Sequence, residues 1–84
     1  MEARLALAKL MQYIAEYEKA KAQYSAVPPT GGRGRQARLG IASTLYDQRR
    51  FAESAECCER LLAEDPADGE AMARLMRNFI KMGA

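Results

Sequence analysis

Two short segments hold the residue types with intrinsic reactivity or ligand affinity. Cys57 and Cys58 are adjacent, and a thiol at Cys57 oxidised to a sulfenic acid would have its neighbour at hand to resolve it. Gly31-Gly32-Arg33-Gly34-Arg35 carries the arginine and glycine content that suits contact with RNA. Neither signal goes far. No basic side chain is placed to lower a thiol pKa, and a bridge between neighbouring cysteines would strain a helix, so the pair reads as reduced packing residues. A single short arginine-glycine copy reads as a flexible, solvated linker. Arg49 and Arg50, and the mixed charges Glu16, Glu18, Lys19 and Lys21, read as solvated surface. The chain has no histidine, no zinc-type spacing, no nucleophile beside a base, and no phosphate-cradling glycine loop followed by a lysine. The expectation is a protein that is not an enzyme, with no metal and no cofactor.

The elements that would position any functional surface must come from 84 residues, enough for one domain with a small core if its contacts are local. Apolar residues make up 49% and charged residues 29%, the balance of a folded domain rather than a disordered tail. The 13 basic and 11 acidic side chains leave a net charge of +2, too little to predict nucleic acid as the partner. No apolar run is long enough to span a membrane, and the N-terminus lacks signal-peptide order, so a cytoplasmic setting is expected.

Sliding the sequence along itself by 34 residues brings Ala3, Arg4, Leu5 and Ala8 onto Ala37, Arg38, Leu39 and Ala42. Leu7 meets Ile41, Met11 meets Leu45, Tyr17 meets Phe51, Ala20 meets Ser54, and Tyr24 meets Cys58. A second step brings Leu7 to Leu75, Ala8 to Met76 and Met11 to Phe79. This divides the chain into repeats 1–34 and 35–68 and a half repeat 69–84. Each repeat holds two stretches with apolar spacings of three and four, which predicts an all-α chain of five helices. Their expected spans are Glu2–Ile14, Glu16–Ala26, Arg35–Gln48, Phe51–Glu64 and Gly69–Met82. Pro28 and Pro29 end the second, and Asp68 caps the fifth. Leu61 is expected to fill the space between hairpins.

The repeated positions resemble the tetratricopeptide repeat family. The first repeat matches through Leu7, Ala8, Tyr17, Ala20 and Tyr24, the second through Ile41, Ala42, Phe51, Ser54 and Pro66, and Gly83 falls where the family turns between its helices. Arg4 and Arg38 stand where the family has a large apolar residue, and the connection Val27 to Gly32 replaces a single terminal proline, predicting a looser link to the third helix. The resemblance implies helix-turn-helix hairpins stacked as a short right-handed α-solenoid, with a concave groove lined by the first helix of each pair. The groove residues it implies are Leu5, Lys9, Gln12, Tyr13, Leu39, Ser43, Tyr46 and Arg77. Tyr13, Leu39 and Tyr46 would receive apolar side chains, and Lys9 and Arg77 a carboxylate or carbonyls. The family's clamp for an acidic C-terminal peptide is absent: of Leu5, Lys9, Gly40, Glu70 and Arg74, only Arg74 fits its pattern. A different peptide, or a helix, is the expected ligand.

A stack of helix pairs exposes apolar surface at any uncapped end. The fifth helix carries Met72, Leu75, Met76, Phe79 and Ile80, which are expected to meet a second copy, a partner protein or further repeats. Two readings follow: an adaptor or chaperone-like module that binds another protein in its groove, and a structural module that self-associates through the fifth helix as a homo-oligomer.

Overall fold

The computed structural model describes residues 2–83. Five helices account for the fold: α1 (Glu2–Tyr13), α2 (Tyr17–Ser25), α3 (Gly31–Asp47), α4 (Phe51–Glu64) and α5 (Gly69–Met82). Among the described residues there is no strand. Each helix packs on the next in sequence, and α3 also touches α1 and α5.

The 34-residue period is written into the turns. Ala15 and Arg49 adopt left-handed backbone with φ of 64° and 63°, and Gly83 does so at 77°. Ala15 N–H donates to the Gln12 carbonyl and Glu16 N–H to that of Met11; Arg49 and Arg50 repeat this onto Tyr46 and Leu45, and Gly83 N–H donates to Ile80. This is the Schellman closure, in which a left-handed residue after the helix lets two amides satisfy carbonyls of the last turn. Only the third copy uses glycine, the residue without a steric penalty there.

The small residues at equivalent places are buried as close helix approach demands: Ala8, Ala20 and Ala42 are fully buried and Ser54 nearly so. Leu5, Ala8, Ala20, Tyr24, Val27 and Ala37 form one core cluster where α1, α2 and α3 meet. Ala42, Ala55, Cys58 and Leu75 form a second, and Leu39, Leu61 and Ala71 a third. Burial pushes the Cys58 thiol up to about 11 and raises that of Cys57, so both stay protonated packing groups.

The glycine-rich segment departs from its sequence reading. It is not a linker: α3 begins at Gly31 rather than Arg35, and Gly34 is buried against the backbone of Pro28 and Pro29, where a Cβ would collide with both. The missing side chain here permits a close approach, so the connection from α2 is packed, not loose.

Arginines at the repeated positions hold neighbouring elements together. Arg38 grips Glu64 with two bonds of 2.7 Å, and Arg4 donates to Gln23 Oε1 at 3.0 Å. Arg35 grips Asp68 through Nε at 2.8 Å and Nη2 at 2.7 Å, while Asp68 Oδ1 accepts from Ala71 N–H at 3.1 Å and so caps α5. The Arg35 guanidinium, followed by the capping amide, holds the Asp68 carboxyl down from 3.8 to about 2. A depressed folded-state pKa adds stability that is complete above the unfolded value and lost as pH falls toward the folded one. Acidifying from pH 5 to pH 2 should therefore remove about 1–2 kcal/mol through this group, a range reduced from the full shift because Arg35 is partly solvated. Urea unfolding across that window should show this loss in the wild type, and a correspondingly smaller loss in Asp68→Asn. Equal losses in both proteins would place the effect elsewhere.

Candidate functional site

Side chains from α1, α3 and α5, with Tyr24 of α2 and Ser54 of α4, line a furrow of three adjoining depressions. The first, about 550 Å³, lies between Leu5, Lys9 and the start of α3. The second, about 300 Å³, shares Lys9 and Gln36 with it and is bordered by Gln12, Tyr24, Leu39, Ser43, Glu70 and Arg74. The third, about 120 Å³, shares Ser43 and Arg74 and adds Tyr46, Asp47, Ser54, Arg77 and Asn78.

Gln12 organises the middle of the furrow. Its Nε2 donates to Ser43 Oγ and to Asp47 Oδ2, each at 2.9 Å, and its Oε1 accepts from Tyr24 Oη at 3.0 Å. One side chain thus ties α1, α2 and α3 together at the surface a ligand would touch. Burial raises the pKa of Tyr24, with the Asp47 charge adding to it against Arg74, so its hydroxyl remains a donor. Charge alternates along the furrow: Lys9 and Arg77 are exposed, Asp47 is bound by Gln12, and Glu70 pairs with Arg35 at 3.4 Å and Arg74 at 3.6 Å.

Of the residues expected to line a groove, Lys9, Gln12, Ser43, Tyr46 and Arg77 border these depressions. Leu5 and Leu39 border them too but belong to the core at 8% and 3% exposure; Leu39 is packed with Leu61 and Ala71, so it is a floor residue and not an open acceptor for apolar side chains. Tyr13 sits at the end of α1, 89% exposed. Tyr46 is half-buried, its ring edge-to-face with Phe51 at 5.3 Å, which presents it as a fixed wall.

On α5, Met72, Met76, Phe79 and Ile80 are exposed at 43%, 57%, 39% and 73%. Leu75 is not available with them: it is packed in the second core cluster with Ala42, Ala55 and Cys58. At the end of the furrow near Tyr46, Ser54 and Arg74, noted in the sequence as a small repeat residue and as a clamp position, border the depression together with Asn78, which sequence reasoning passed over. Asn78 carried a signal, since it falls three residues after Leu75 on the stripe that faces the core.

Among the described residues, no helix is long and apolar enough to cross a membrane, and no group of three acidic or cysteine side chains gathers as a metal site would. No family model, curated protein or solved structure matches the chain.

Proposed function

We propose that this chain is a non-catalytic protein-interaction module of the tetratricopeptide type, an adaptor or chaperone-like scaffold of the cytoplasm. Its hairpins stack as a short right-handed α-solenoid that holds a peptide or a helix along the furrow. The furrow itself carries the reading: α1, α3 and α5, the first helices of successive repeats, contribute its lining, and the left-handed turns recur at 34-residue intervals. Its mixture of exposed cations, tyrosine and uncharged polar groups suits a peptide main chain with a few anchoring side chains.

The test is a peptide selected by display on the wild-type protein. Lys9→Glu with Arg77→Glu alters two exposed side chains outside the core, so stability should stay within about 0.5 kcal/mol. Affinity for the selected peptide should fall at least about tenfold, or about 1.4 kcal/mol. Unchanged affinity, or amide shifts confined to α2 and α4, would refute the furrow as the binding surface.

A specific observation favours a second reading, self-association through α5. Met76 stands where Ala8 and Ala42 stand in the first two repeats, and it is exposed along with Met72, Phe79 and Ile80. Methionine suits a face that adapts to its partner, and contiguous exposed apolar surface favours burial. Light scattering across a concentration series should then give a dimer or larger, reverting to monomer in Phe79→Glu. A concentration-independent monomer in the wild type sinks this reading and leaves the furrow reading untouched.

A further inference from the structure

The repeat supplies its own template for the surfaces left open on α1 and α5. In α3, Ala37 belongs to the core cluster it shares with the preceding hairpin, and Ile41 packs against that cluster. In α5, Ala71 packs with Leu39 and Leu61, Leu75 packs with Ala42, Ala55 and Cys58, and Asn78 donates to Ser54 Oγ at 3.0 Å. These positions mark the face that each helix turns to the hairpin before it. Counted back by the 34-residue period, the same face of α1 carries Ala3, Leu7 and Leu10, with Ile14 one turn on. All four are exposed, with Leu7, Leu10 and Ile14 at 38%, 53% and 54%, whereas their counterparts Ala37, Ala71, Thr44 and Asn78 are buried. A spacing of four, three and four residues is that of a seam packing along a second helix.

The open face of α5 has the opposite requirement. Ala8 and Met11 pack with Ala20 and Tyr24 of α2, and Ala42 packs with Ala55 and Cys58 of α4, so these positions meet the second helix of their own hairpin. Their counterparts on α5 are Met76 and Phe79, exposed together with Met72 and Ile80. One stripe therefore fits a helix that comes before it, and the other a helix that comes after. Neither stripe holds a charged residue, so joining them desolvates no ion. We propose that copies of this chain join head to tail, the α1 stripe of one copy on the α5 face of the next. This rests on the self-association reading and names the surface that α5 meets. A symmetric α5–α5 dimer leaves Leu7, Leu10 and Ile14 of both copies in water, whereas α1 on α5 covers both stripes with one kind of contact. At roughly 200 Å² for a fully exposed large side chain, the exposed parts of the two stripes total roughly 700 Å². Specific interfaces begin near roughly 1,200 Å², and the remainder falls to the polar rim of the joint. A contact of this kind continues copy by copy unless its rotation closes a ring.

Two single variants, alone and mixed, test the pairing by light scattering across a concentration series, with circular dichroism checking each fold. Leu10→Glu closes the α1 stripe and Phe79→Glu closes the α5 face. The wild-type mass should grow with concentration or stop at one closed assembly, and each variant alone should be monomeric. An equal mixture should reach twice the monomer mass and stop there, because each pair retains one intact α1 stripe and one intact α5 face. If Leu10→Glu still associates while Phe79→Glu does not, the proposal is overturned in favour of a symmetric α5 dimer, and the self-association reading stands. The reverse result overturns both in favour of a symmetric α1 contact. A mixture that stays monomeric while the wild type associates overturns the head-to-tail pairing alone. A wild type that is monomeric at every concentration overturns both. Should either glutamate lower the helical signal, Leu10→Gln and Met76→Gln close the same two faces and carry the same test.

Discussion

Replacing Leu61 by alanine should cost about 2–4 kcal/mol, the range for a buried leucine whose cavity cannot fully collapse. Leu61 is 4% exposed and packs with Leu39 of α3 and Ala71 of α5, so it joins three helices at one point. Ala71 has no side chain to swing into the void, and Leu39 is held on a helix with neighbours on every side. For a domain of this size the loss corresponds to a fall in Tm of roughly 10–30 °C, read by circular dichroism. A loss below about 0.5 kcal/mol, the usual size of a surface change, would show that Leu61 does not occupy the space between the hairpins.

Gly40→Ala should also destabilise, by about 1–2 kcal/mol, and here the sign is the informative result. Helix propensity alone favours alanine by up to about 1 kcal/mol. A Cβ at Gly40, however, would enter the ring of Tyr24. That ring is 2% exposed and its hydroxyl is tied to Gln12, so it cannot turn aside without breaking the network beneath the furrow. Overpacking of this kind costs about 1–3 kcal/mol and outweighs the propensity gain. Gly32→Ala is the matched control, since nothing lies within 4 Å of a Cβ there, and it should be neutral or slightly stabilising. A gain at Gly40 would mean that the α2–α3 contact yields.

The same two positions show which parts of the structure were legible in the residues. Helices α4 and α5 have the bounds that apolar spacing and the Asp68 cap predicted, because their signals lie within one turn of each helix end. The start of α3 was hidden because Gly31, Gly32 and Gly34 break helices by local propensity; only the packing of Pro28 and Pro29 on Gly34 explains why they begin one. Five of the eight expected groove positions, Lys9, Gln12, Ser43, Tyr46 and Arg77, line the furrow without belonging to the core clusters, since helical periodicity fixes which face a side chain takes. Periodicity does not say how deep that face lies, and so Leu5 and Leu39 proved to be core. The ion pairs of Arg35 and Arg38 and the Asn78–Ser54–Ala42 chain join elements 12 to 33 residues apart, and nothing within a single helix announces such partners.

Helix α3 packs against each of the other four, whereas among the described residues the backbones of α1 and α2 do not approach those of α4 or α5. Packing between the two flanks therefore runs through α3, and only at the furrow do Lys9 and Gln12 of α1 border the same depression as Glu70 and Arg74 of α5. Outside the furrow, a change in one flank reaches the other through α3, by its tilt or by its melting, which makes this one helix both the spine of cooperativity and the point where the domain would divide into two halves.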